Sequence, residues 1–169
     1  MSHASNLQVD GDRLWNALMD MAEIGPGVAG GNNRQTLTDE DASGRRLFQR
    51  WCEEAGMRVA VDSMGNMFAE RPGEDADAAP VYLGSHLDTQ INGGRFDGIS
   101  GVLAGLEIIR TLNDAGHVTR RPIVVVDDEA DGAQREVPLH DLVDPRRAQE
   151  VAARLGQLLA AVGRGVEAI

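Results

Sequence analysis

Two short apolar runs with a helical pattern between them constrain this chain more than any other feature. Ile123 to Val126 reads IVVV, a continuous apolar run of the kind buried on both faces of a sheet. Val81 to Leu83 is a second such run, closed by Gly84 and Ser85. After Gly98, Val102, Leu103, Leu106, Ile109 and Leu112 recur at helical spacing up to Gly116. Strand, helix and strand in that order predict a parallel pair joined by a right-handed crossover, and therefore an α/β fold. With 169 residues, 42% of them hydrophobic, one domain with a real core is expected.

The preceding segments extend the same pattern. Leu14, Trp15, Leu18, Met19 and Met21 place a helix over Asp10 to Glu23, stopped by Gly25-Pro26-Gly27. Thr38 followed by Asp39, Glu40 and Asp41 is an N-cap with an acidic first turn, opening a helix to Ala55 with Leu47, Phe48, Trp51 and Cys52 as its buried stripe. Val59 and Val61 alternate on one face, and a turn over Ser63 to Asn66 leads into Met67 to Ala69, which reads as a hairpin. Arg71 to Pro80 is an acidic surface loop. The Gly/Asn-rich loop from Val28 to Leu37 holds Arg34, a candidate substrate contact. At the far end Asp144 and Pro145 open an added C-terminal helix up to Gly163.

Charge narrows the partners. The 27 acidic against 16 basic residues give a net charge of -11, which argues against nucleic acid or an anionic membrane and for a small molecule or a protein. Cys52 is the only cysteine, so no internal disulfide forms, and a reducing cytoplasm suits this usage. The first residues lack a basic segment followed by an apolar one, and no run is long enough to span a bilayer, so a cytoplasmic location is expected.

The chemistry concentrates in Tyr82 to Gly101, YLGSHLDTQINGGRFDGISG. His86 and Asp88 emerge at a strand end, two apart, and so point to one side, as ligand and orienting partner for a divalent cation. Asp97 follows the Gly93-Gly94 turn and precedes the helix, from where its carboxylate can swing back towards His86 or cap that helix.

GSHLDT, NGGRFDG and GVLAGLE together resemble the metal-binding signature of the hydantoinase/carbamoylase amidases, a branch of the dinuclear zinc aminoacylase and carboxypeptidase superfamily. The likeness runs from Asp10 to Val126 and includes LTDED, RWCEEAG and DSMGN. It implies a partial catalytic domain of the zinc-exopeptidase type, a mixed sheet with flanking helices, over residues 1–126, followed by a divergent acidic loop and helix over 127–169. It further implies His86 as metal ligand, Asp97 as a bridge between two ions, and Asp88 as the catalytic carboxylate that orients the imidazole. The metal would be Zn or another divalent ion such as Mn, Co or Ni, and the substrates N-carbamoyl-amino acids or ureido acids.

After the second strand the family has an asparagine and two glutamates, a general base and a ligand, where this chain reads VVVDDEADGAQRE. Matching Gly132-Ala133 to the family's glycine-alanine puts Asp131 at the ligand position and Ala130 at the base, whereas a shifted match offers Asp128 and Glu129. The family also continues for more than twice this length, with further histidine ligands and a dimer-forming second domain; here His140 is the only later histidine. Two expectations follow: a truncated metal-dependent amidase of low activity alone, or an inactive relative acting as a binding or assembly module. Either would form a homodimer or pair with a missing subunit.

Overall fold

The computed structural model describes residues 7–128. Among them, Gly11–Ala22 (α1), Asp39–Glu54 (α2) and Ile99–Asp114 (α3) are helices, and Arg58–Val61 (β1), Met67–Arg71 (β2), Val81–Ser85 (β3) and Ile123–Asp127 (β4) are strands. The strands form one sheet in the order β1-β2-β4-β3, and the first two pairings are antiparallel. β3 and β4 run parallel, in register from Val81 opposite Ile123 to Ser85 opposite Asp127. The architecture is the expected α/β one, a mixed sheet with helices, and the two apolar runs are neighbouring strands joined through α3.

Local chemistry explains the element ends. Asp10 caps α1 by accepting from the Arg13 N–H, and Thr38 caps α2 by accepting from that of Asp41. In the β1–β2 turn the Asp62 carboxylate accepts from the N–H groups of Met64 and Asn66, an Asx-type turn that fixes the hairpin register. Ile123, Val124 and Val125 are buried, as the apolar run predicts, and β4 goes on for one further residue to a buried Asp127. Phe48 and Cys52 of α2 are buried, with Leu47 and Trp51 packed partly against the core.

One part of the α1 stripe differs from the pattern. Ala17, Leu18, Met21 and Ala22 face inward, while Trp15 stays 53% exposed and packs on the exposed Phe96, ring centroids 5.6 Å apart. The buried face of α1 is thus narrower than the apolar spacing, and Trp15 lies outside it. The contact of α1 with α3 also carries a buried ion pair. Arg13 Nε and Nη2 each donate to Glu107 at 2.8 Å, and the Asp10 N–H adds a bond at 3.0 Å. Burial alone would raise the Glu107 carboxyl, but these bonds outweigh it and hold the group below its ordinary pKa. Among the described residues no helix is long and apolar enough to cross a membrane.

Pairing of β3 with β4 depends on Gly84. Its φ is 156°, and a Cβ there would come within 2.1 Å of the Val126 carbonyl oxygen. Gly84→Ala is therefore predicted to destabilise the domain by about 2–4 kcal/mol, at or above the usual upper range for point substitutions. Urea unfolding of both proteins checks this, and an unchanged midpoint would show that the strand pair can open without cost.

Candidate functional site

The chain leaves the sheet at Ser85, and the next three residues are held through the backbone of the middle one. The Leu87 side chain is fully buried. Its N–H donates to Asp127 Oδ1 at 2.8 Å, and its carbonyl accepts from Arg34 Nε at 3.1 Å and Nη2 at 2.9 Å. With both peptide groups of Leu87 fixed, His86 and Asp88 on either side of it have little freedom.

His86 Nδ1 lies 2.9 Å from Asp88 Oδ1 and 3.1 Å from the Asp88 carbonyl oxygen. Both partners are acceptors, so Nδ1 carries the proton and donates. In the neutral ring Nε2 then keeps its lone pair, the form in which histidine binds a metal. The second Asp88 oxygen, Oδ2, accepts from Thr36 Oγ1 at 2.7 Å. The imidazole lies against Gly98, where a Cβ would meet its ring atoms at 2.3–2.5 Å. Gly98, at φ 71°, is also the N-cap of α3 and makes no side-chain cap bond.

Asp97 therefore sits next in sequence to the residue that packs on the His86 ring. Its carbonyl accepts from the Ile99 N–H at 2.8 Å, and its side chain is exposed. Among the described residues its carboxylate makes no hydrogen bond or ion pair, and it does not cap α3.

Asp127 was read in the sequence only as the start of an acidic segment, yet it organises the site from below. It is fully buried, binds the Leu87 N–H through Oδ1, and accepts from Arg45 Nη1 through Oδ2 at 2.8 Å. Burial pushes its carboxyl up to about 6 against the opposing effects of the Leu87 bond and Arg45, with Asp41 and Asp88 adding to the rise. A carboxylate directly after a doubly buried strand, in register with the residue before H-x-D, is the signal that marks it.

Arg34 lies inside the protein and not over the site. It is fully buried, and beyond Leu87 its Nη1 donates to the carbonyls of Met21 at 3.0 Å and Ile24 at 2.9 Å and to Asn32 Oδ1 at 3.1 Å. Its donors are thus spent on the end of α1 and on the Leu87 backbone, and burial lowers its pKa. Glu129, Asp131, His140 and the C-terminal helix lie outside the described residues.

An imidazole nitrogen and a carboxylate are donors of the kind that suit a borderline divalent cation such as Zn, Mn, Co or Ni. Among the described residues no group of three or more His, Cys, Asp or Glu side chains could hold a metal ion, so His86 and Asp97 would need further ligands to do so.

No family model matches the chain. An N-carbamoyl-L-amino-acid amidohydrolase of Rhizobium meliloti is 68% identical over 120 residues, 71% of this chain and 29% of that protein. The crystal structure of a hydantoinase/carbamoylase family amidase from Burkholderia ambifaria superposes with a TM-score of 0.71 at 61% identity, over 72% of this chain and 30% of that one. Over this stretch the chain belongs to the hydantoinase/carbamoylase family. A ureidoglycolate hydrolase of Arabidopsis thaliana is 31% identical over 123 residues, 73% of this chain and 26% of that protein. The chain thus spans less than a third of the length of these three relatives, and its homologues in the family hydrolyse C–N bonds.

For this family member, Asp127 also sets a pH dependence. Its pKa is raised on folding from 3.8 to about 6, so between those values the folded protein keeps a proton that the unfolded chain has lost. Stability due to this group is therefore lost as pH rises from about 4 to about 6, by on the order of 2–3 kcal/mol. In Asp127→Asn that fall should disappear, so the difference in unfolding free energy between wild type and variant shifts against wild type over this window. Urea melts at several pH values measure it, and a difference independent of pH would show that Asp127 stays ionised throughout.

Proposed function

We propose that the site built on His86 and Asp97 is the metal-binding part of a hydrolase for linear amide or ureido C–N bonds, with N-carbamoyl-amino acids or ureido acids as substrates. One observation carries the reading: His86 bonds through Nδ1 to Asp88, which leaves Nε2 for a ligand role, and its ring lies against Gly98, the residue after the exposed Asp97. The substrate class is supported by the names of relatives at 68% and 31% identity.

His86 Nε2 and the Asp97 carboxylate would hold the cation, with Asp131 as a further ligand. When bound, a divalent ion lowers the pKa of a water and polarises the carbonyl under attack. Asp88 keeps the proton on Nδ1 and fixes the ring, while Gly98 allows the imidazole to lie over the start of α3. Glu129 is the proposed base that carries the proton from water to the leaving nitrogen. A reducing cytoplasm is the proposed setting, in keeping with a free and buried Cys52 whose thiol burial pushes up to about 12.

The lack of a group of three or more potential metal-binding side chains among the described residues also supports a second reading, in which this chain binds or assembles with a copy of itself or another subunit that completes the site. Two measurements separate the readings. Zn²⁺ titration should show binding far weaker than a closed four-ligand site, abolished by His86→Ala and by Asp97→Ala. Ammonia release from N-carbamoyl-amino acids by this chain alone should stay well below an ordinary turnover of about 1 s⁻¹. Turnover at that rate, lost in Asp97→Ala and Glu129→Gln, would support a complete enzyme and overturn the assembly reading; the same rate unaffected by Asp97→Ala would overturn the site itself.

A further inference from the structure

We infer that Thr36 is a positioning residue for His86, acting through Asp88: its hydroxyl fixes the carboxylate and thereby the orientation and tautomer of the imidazole. The inference rests on the reading of His86 as a metal ligand only in its consequence for metal affinity. Its geometric part stands on three side chains in a row, Thr36 Oγ1 at 2.7 Å from Asp88 Oδ2 and Asp88 Oδ1 at 2.9 Å from His86 Nδ1.

A carboxylate only accepts, so in this row the Thr36 hydroxyl donates. The carboxylate of Asp88 turns easily about its last torsion, for which there are two broad and nearly equivalent settings. The bond from His86 to Oδ1 alone leaves that rotation loosely defined, because the ring's other contacts, with the Asp88 carbonyl and with Gly98, hold the imidazole and not the carboxylate. The second bond, from a group outside the H-x-D segment, removes the freedom: Oδ2 is committed to Thr36, so Oδ1 must face Nδ1.

Thr36 can do this because its own backbone is held from both sides. Arg34, two residues before it, exchanges bonds with Thr89: the Arg34 N–H donates to Thr89 Oγ1 and the Thr89 N–H to the Arg34 carbonyl, each at 2.7 Å. After it, the Leu37 N–H donates to Asp41 Oδ2 at 3.1 Å, and Thr38 caps α2. Leu37 is held at φ 66° although its side chain is 92% exposed, so the conformation is set by these bonds and not by packing of the leucine. The loop entering α2 therefore presents one hydroxyl to the back of the Asp88 carboxylate at a fixed place.

The test uses the metal-free 169-residue chain. The ¹⁵N signals of the His86 ring, assigned by their loss in His86→Ala, are recorded at about pH 8, above the ordinary imidazole range. Wild type should show one tautomer, protonated at Nδ1. Thr36→Val, which keeps the shape and removes the hydroxyl, should give a mixture of tautomers with an unchanged melting temperature, and Thr36→Ser should restore the single form. A Thr36→Val protein that retains the pure Nδ1-protonated form, or whose only change is a lower melting temperature, overturns the inference. Zn²⁺ affinity is then read by competition with a chelator. It should fall about tenfold in Thr36→Val, at the low end for partners that orient a ligand, and recover in Thr36→Ser. If wild type binds no Zn²⁺ while the tautomers respond as expected, the reading of His86 as a ligand fails and the role of Thr36 stands.

Discussion

The arrangement of the site depends on how one peptide is held. Where β3 ends, the N–H and C=O of Leu87 are deep inside the protein and need partners there, because a buried backbone group left unpaired costs as much as a lost hydrogen bond. Both partners are charged: Asp127 takes the N–H and the Arg34 guanidinium binds the carbonyl through two nitrogens. Charge-assisted bonds of this kind are shorter and stronger than neutral ones. They are also directional, so they fix the plane of the Leu87 peptide and with it the exit vectors of His86 and Asp88. Each charge is in turn bonded elsewhere, Asp127 to Arg45 and Arg34 to the end of α1, which offsets part of the desolvation of both.

The loops around the site are fastened to one another by the same principle. Asn32 is buried, donates to the carbonyls of Ala22 and Ile24, and pairs through its N–H with the Gly93 carbonyl at 2.9 Å. Among the described residues the non-glycine ones with left-handed backbone are Ala29, Leu37 and Asn92, all in the connections flanking this region. Such conformations persist only where surrounding bonds over-determine them, and they concentrate at functional sites. Loops fastened in this way suit the proposed site, whose ligands would come from different segments and would tolerate little displacement.

The fold was legible in the sequence because its signals are periodic and local. The IVVV run, the apolar face after Gly98 and the Thr38 cap each follow from one short stretch, and each lies where the pattern puts it. Trp15 shares the helical spacing that marks α1 yet stays exposed against Phe96, and spacing alone does not tell which of its positions the core covers. At the site, the pairing of His86 with Asp88 was readable from the two-residue repeat of an extended chain. The settings of Arg34, Thr36 and Asp127 were not, because the bonds that tie them to Leu87 and Asp88 join residues 40 to 53 positions apart, and no local pattern records them. An arginine in a polar loop looks like a solvent-facing contact until the carbonyls it must satisfy are in view.

The central claim is that the Leu87 peptide clamp and the Asp88 carboxylate deliver His86 as an Nε2 ligand beside Asp97. A crystal of the chain soaked in Zn²⁺, with anomalous data collected at the zinc edge, tests it most directly. The account predicts an anomalous peak within about 2.0–2.2 Å of both His86 Nε2 and an Asp97 oxygen, with Nδ1 still bonded to Asp88. A zinc ion bound through Nδ1, or one bound elsewhere with His86 and Asp97 both bare, would contradict it.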